Sequence, residues 1–401
     1  MTDALKRRIG LPLLTAYGVG VMVGAGIYVL VGAVAEQAGT WAWLAFGLAG
    51  LIALPSALSF AELASRVPEA GGAAAYMRAA FRSDTLGVFV GLAMVLAGTI
   101  SAAAVLRGGV GYLTGIVPIS TELGIMALGL GLTAIAIWGV VESLSFAAIL
   151  TLIEVVGLVL VIVAGLSAIP AQVEPAVLDQ SNIMLGLSGV LAAVVLAFFA
   201  FIGFEDIVNL AEETRDPQRT VPRAIIAALI VVSAIYALVA FSATRAVPPQ
   251  TLAGSDRPLV LVWQAWSDTP AVFLSAIAVA AALNGVLAQI VMAARVLFGL
   301  GRHTAVFSVF HAAHPRLGTP VLASLAVGAG VIICALALPV ATLAQFSATT
   351  LLVVFVLVNA ALLRMKSQGA KEAPFQVATA VPALGLLASL GALIASIGDL
   401  V

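Results

Sequence analysis

Apolar residues fill this chain in long, nearly unbroken runs, and the polar residues collect in short stretches between them. Eleven such runs lie near residues 12–36, 40–64, 85–113, 122–139, 144–169, 184–211, 222–245, 270–298, 319–338, 342–363 and 377–397. A helical crossing of a bilayer needs about 20 apolar residues, which most of these runs supply. None shows the alternation over roughly ten residues that marks a transmembrane barrel strand. The pattern predicts an all-α polytopic membrane protein of about eleven transmembrane helices, folded as a single transmembrane domain over residues 1–401.

Composition supports lipid as the solvent. Hydrophobic residues make up 62% of the chain and charged residues 9%, against roughly 25% charged in an ordinary soluble domain. The formal net charge of −1 gives no reason to expect nucleic acid as a partner. The single cysteine, Cys334, has no partner for an intramolecular disulfide and reads as a small core residue. Lys6, Arg7 and Arg8 precede the first apolar run as in a signal peptide. No small-residue cleavage site follows and the run is too long, so a retained first helix is expected.

The basic residues set an orientation. With the N-terminus in the cytoplasm, fifteen of the eighteen fall inside: Lys6, Arg7 and Arg8; Arg66, Arg78 and Arg82; Arg215, Arg219 and Arg223; Arg295, Arg302 and Arg316; Arg364, Lys366 and Lys371. Only Arg245 and Arg257 fall outside, and Arg107 lies within the third span. Such one-sidedness follows the positive-inside rule and, with an odd number of spans, puts the C-terminus outside. An inner, plasma membrane is the expected location.

Two spans depart from the rest. The first holds four glycines within nine residues, at 18, 20, 24 and 26. The sixth places Glu205 and Asp206 side by side in an apolar context. Glycine costs about 1 kcal/mol against alanine in a helix, and acids within a membrane are expensive. Close packing of small residues explains the first equally well, and a helix that ends near Gly203 explains the second. Their positions, five helices apart, fit two five-helix repeats (12–169 and 184–363), each led by a broken helix, with an extra helix at 377–397.

Residues 18–32, the loop Pro68-Glu69-Ala70-Gly71-Gly72, residues 198–225 (FFAFIGFEDIVNLAEETRDPQRTVPRAI) and residues 295–320 resemble the amino acid–polyamine–organocation (APC) superfamily of permeases, in its amino acid permease branch. The glycine pattern alone would also suit a dinucleotide loop, but no strand precedes it, and no cofactor is expected. The resemblance implies a leucine-transporter-type fold with inverted repeats, discontinuous helices 1 and 6, and alternating access around a central site. Most relatives have twelve or more crossings, so a chain of eleven spans departs from them outside the repeats. That puts any dimer contact of the last helices in doubt and leaves the oligomeric state open.

An amino acid zwitterion needs donors for its carboxylate and acceptors for its ammonium, and a broken helix supplies both from its backbone. The N–H groups of Gly24, Ala25, Gly26 and Ile27 are assigned to the carboxylate. The carbonyls near Val23 and of Phe199, Ala200 and Ile202, beside Gly203, are assigned to the amine. By resemblance, Phe199 closes over substrate from outside, although packing in the core is the alternative for any one of these phenylalanines.

Glu154 is a lone carboxylate midway along the fifth span, where several proton-coupled relatives carry a lysine. A neutral, proton-holding Glu154 hydrogen-bonded to Asn284 is expected, with a sodium ion as the competing account. Glu205 matches an acidic position of helix six in exchangers and is expected to relay protons or tie that helix to its neighbours. Asp206 suits helix capping or loop pairing as well. Arg107 either snorkels or binds an anion. The charged loop 212–219 is expected to be structural, and His303, His311 and His314 to be solvated loop residues rather than metal ligands.

A secondary active transporter of amino acids or related amines, proton-coupled or exchanging, is the leading function. Its alternatives are a nutrient sensor of the same fold and a sodium-coupled or polyamine carrier. An enzyme would need a nucleophile–base pair or a metal cluster at membrane depth, and a channel a polar lining. Neither is present in the sequence. Neutral amino acids lead as substrate, followed by cationic amino acids or amines.

Overall fold

The computed structural model describes residues 7, 9–23, 26–68, 72–138, 144–171, 180–267, 269–369 and 372–398. Gly24 and Ala25 of the expected site lie outside the described residues, as do Glu69, Ala70 and Gly71, and also Lys6, Arg8 and Lys371.

Each apolar run carries a helix. In chain order they are α1 (Leu11–Val23), α2 (Gly26–Ala38), α3 (Ala42–Arg66), α4 (Gly72–Phe81), α5 (Asp84–Thr114), α6 (Thr121–Trp138), α7 (Leu144–Ser167) and α8 (Gln180–Phe199). They continue as α9 (Pro217–Ala246), α10 (Pro249–Ala253), α11 (Pro258–Trp266), α12 (Val272–His303), α13 (Val321–Ala337), α14 (Val340–Ser367) and α15 (Ala380–Gly398). Nine helical stretches among the described residues are long and apolar enough to cross a membrane, and α1 and α13 are shorter apolar helices. The protein is a multi-pass helical membrane protein. The short α4, α10 and α11 lie between apolar runs and had no hydrophobic run to announce them.

Of the two unusual spans, the sixth is interrupted. In the first, α1 is described as far as Val23 and α2 from Gly26, and the two residues between them lie outside the described residues. In the sixth, α8 stops at Phe199, a turn follows, and the chain resumes at Phe204 as a 3-10 helix to Glu213. That tighter helix differs from the plain continuation the apolar run suggests; such segments are common where a helix ends or hinges. Gly203 makes the turn possible, since its φ of 127° is open to glycine and strained for other residues.

The first and sixth spans occupy the middle of the protein. In the most apolar window of 188–213, 89% of residues are buried, against 22% in α15. α1 packs on α7 and α9, α2 on α8, α3 along α9, and α12 along α5. At one end these two spans are also tied by backbone: Ile9 N–H donates to Glu213 O (3.1 Å) and Arg215 N–H to Ile9 O (2.9 Å).

Charged side chains close several helix ends. Arg107 Nη1 donates to Ala335 O (2.6 Å) in the last turn of α13, which decides its role in favour of a backbone contact. Arg245 Nη1 donates to Gly165 O and Ala168 O (both 2.9 Å) at the end of α7. Cations there meet carbonyls that have no helical partner. A buried ion cluster fastens the opposite end. Glu62, fully buried, pairs with Arg66 (2.6 Å) and with Lys366 (2.8 Å). Glu62 Oε2 also accepts from Val377 N–H (2.8 Å), and Lys366 Nζ donates to Val377 O (2.7 Å). Deeper between the same helices, Ser59 Oγ donates to Asn359 Oδ1 (2.7 Å), Asn359 Nδ2 donates to Ser56 Oγ (2.8 Å), and Ser56 meets Ser389 of α15 (3.2 Å).

Candidate functional site

The start of α2 meets the break of the sixth span face to face. A Cβ added to Gly26 would stand 2.5 Å from the Cα of Ala200, so only glycine allows the approach. Val23, Ile27, Phe199, Ala200 and Ile202 are buried around this contact. A residue not singled out in the sequence holds it together: the hydroxyl of Tyr236, on α9, shares its one proton between Met22 O (2.7 Å) and Ala200 O (3.0 Å). It thereby ties α1 to the break of the sixth span. A tyrosine in mid-span is itself a signal, because a buried phenol needs a partner.

The neighbouring phenylalanines divide by their contacts. Phe198 stacks edge-on against Phe355, Phe201 against Tyr236, and Phe204 against Phe60. Phe199 has no aromatic neighbour among these pairs and is 4% exposed.

Glu154 lies on α7, where α1 and α12 converge. Its side chain is buried, and Asn284 Nδ2 stands 3.5 Å from Oε1, at the outer limit of a hydrogen bond. Oε2 has no hydrogen-bond partner among the described residues. Two further tyrosines lead to this point: Tyr112 OH donates to Tyr28 O (2.7 Å), and Tyr28 OH donates to the backbone carbonyl of Glu154 (3.0 Å).

Glu205 is placed elsewhere, immediately below the second break. Its Oε2 accepts from Gly203 N–H (3.0 Å), so the capping role that suited Asp206 falls to its neighbour. Both acids are buried and face a small cavity between the second break, α5, α12 and α14. That cavity has about 20 Å³ of room, and Gln289 and Ile202 also line it. A second, wider groove of about 330 Å³ lies at the other end of the molecule, between Glu36 and Gln250.

The loop at 212–219 is structural, pairing with the segment before α1 and turning at Asp216 (φ 45°). His311 Nδ1 lies 3.2 Å from Phe298 O, and His314 Nδ1 accepts from Arg316 N–H and Leu317 N–H. The side chain of His303 is outside the description. Among the described residues no group of His, Cys, Asp and Glu is arranged to hold a metal ion.

A multi-pass bundle with an interrupted helix at its centre, packed against a glycine-rich span, suits a membrane carrier. The chain belongs to the amino acid permease family, whose model matches residues 9–400. It is 34% identical over 366 residues to an uncharacterized transporter of Mycobacterium tuberculosis, covering 90% of this chain and 81% of that protein. It is 29% identical over 388 residues to the branched-chain amino acid permease BcaP of Bacillus subtilis, covering 91% and 82%. With the human cationic amino acid transporter 4 it shares 32% identity over 398 residues, covering 93% of this chain and 62% of that one. The protein is an amino acid transporter by family.

Proposed function

We propose that this chain carries amino acids across the inner, plasma membrane by alternating access, with its N-terminus in the cytoplasm and its C-terminus outside. The observation that supports the reading is the contact of Gly26 with Ala200, which puts the glycine-rich middle of the first span against the break of the sixth. On this reading the first span is broken there, and the N–H groups of Gly24, Ala25, Gly26 and Ile27 serve a carboxylate. The ends of α1 and α8 offer the carbonyls of Val23, Phe199, Ala200 and Ile202 to an ammonium. Ala200 O already accepts from Tyr236 and keeps its second lone pair for the substrate. Phe199, free of aromatic partners, covers the bound molecule. The repeats 12–169 and 184–363 move against each other about this point, with 377–397 outside them.

Coupling is assigned to Glu154. A carboxyl held by one long hydrogen bond, with its other oxygen unpartnered, is poised to bind and release a proton as α1 and α12 shift against α7. If it is protonated, its hydroxyl has the Asn284 amide within reach as acceptor once the amide is turned. Glu205, bonded to the turn itself, is the second acid able to report a change at the break.

The test is uptake of radiolabelled amino acids into proteoliposomes with an imposed pH gradient and no sodium. Accumulation that follows the pH gradient supports the reading. Uptake that requires sodium and ignores the pH gradient would transfer Glu154 and Asn284 to an ion site.

A further inference from the structure

Asp206 has no part in the cycle described above. Its side chain is 6% exposed, and among the described residues it accepts no hydrogen bond and pairs with no cation. A buried carboxylate in that condition is costly unless a positive group or a proton meets it. It faces the cavity beneath the second break, and so does Gln289. Gln289 is 8% exposed, and its amide takes no hydrogen bond among the described residues. Its Oε1 lies 3.1 Å from where a Cβ on Gly98 would stand, so it points across at α5. Glu205 completes the polar wall, with only one of its oxygens held by Gly203.

Size and donor count together select an occupant. Room of about 20 Å³ takes one group the size of a water molecule. A primary ammonium is that small and carries three N–H donors, to be met by two carboxylates and one amide oxygen. A planar guanidinium with five donors is too large for the space and mismatched to it. The remaining wall includes Met94 and Met292, whose flexible side chains give way to an aliphatic stem. Ile202 belongs both to this wall and to the break where the amino acid's own backbone is expected.

We propose that Asp206, with Glu205 and Gln289, forms a side-chain subsite for the primary ammonium of a cationic amino acid such as lysine or ornithine. The proposal rests on the carrier reading of the two breaks and names the substrate class that reading leaves open.

The experiment compares L-lysine with L-norleucine, which matches its chain but lacks the ammonium, by thermal unfolding of the purified full-length protein in detergent. Lysine should bind at least tenfold more tightly, and Asp206→Asn should bring the lysine-to-norleucine affinity ratio close to one. Gln289→Leu, which alters no charge, should lower the same ratio and serves if Asp206→Asn does not fold. Equal binding of lysine and norleucine by the wild type would overturn the subsite while leaving the amino acid carrier intact. A shift produced by sodium chloride but not choline chloride, and lost in Asp206→Asn, would overturn it in favour of a metal ion. If neither amino acid binds, the carrier reading fails first and the subsite with it.

Discussion

Gly26 lies flush against Ala200, with 2.5 Å between the Cα of Ala200 and the place a Cβ on Gly26 would occupy. No side chain fits there without moving a backbone. Gly26→Leu should therefore insert into membranes normally yet lose both binding and uptake. Overpacking of this kind costs about 1–3 kcal/mol in stability. Uptake by the variant at near wild-type rates would show that substrate does not sit between the breaks.

Tyr236→Phe removes one hydroxyl and changes nothing else in shape. It leaves Met22 O and Ala200 O without their donor, at a cost of about 1–3 kcal/mol. A lower unfolding midpoint with reduced uptake is expected, measured on purified protein and in proteoliposomes. An unchanged midpoint would mean that water takes over both carbonyls.

Glu154→Gln fixes the side chain in a form that resembles the protonated acid. Substrate binding should persist and exchange should survive, while accumulation driven by a pH gradient should fall to background. If the variant still accumulates substrate from a proton gradient, the coupling role passes to Glu205.

Among the described residues Glu62 faces two cations, Arg66 and Lys366. Glu62→Gln removes the negative charge from both pairs, and breaking a buried pair typically costs about 3–5 kcal/mol. A large fall in the unfolding midpoint is expected, with Lys366→Arg milder. A Glu62→Gln midpoint close to wild type would show that solvent reaches the cluster.

Reporter fusions test the orientation. A reporter placed after Val401 should be periplasmic, and one inserted between Lys366 and Lys371 cytoplasmic. Both on the same side would defeat the eleven-span count.

The helices were legible because a bilayer demands long apolar runs, and the eleven runs have no other physical reading. The break of the sixth span was legible from its two adjacent acids, and the four glycines within nine residues of the first span mark where it comes closest to that break. The 3-10 form of Phe204–Glu213 was not legible, because its apolar residues Phe204, Ile207, Val208 and Ala211 have the spacing of an α-helix. The partners of the break were hidden for a different reason. Tyr236 reaches Met22 across 214 residues of sequence, and a contact so distant leaves no local pattern. Glu62 was passed over because it sits one turn from Arg66 near a helix end, where an exposed pair is the ordinary case. Asp206 and Gln289 share a wall only because α12 lies along α5, which spacing alone does not state.

The arginines that close α13 and α7 also shape what the molecule offers to its surroundings. Arg107 and Arg245 turn their guanidinium groups onto helix carbonyls. A hydrogen bond to a carbonyl leaves a guanidinium its full charge, so both still offset acids on the face away from the basic loops. Among the described residues there, Arg107, Arg245 and Arg257 stand against Glu36, Glu122 and Asp256. Charges so evenly matched make little long-range field, and capture of a charged solute at that face should change only weakly with salt.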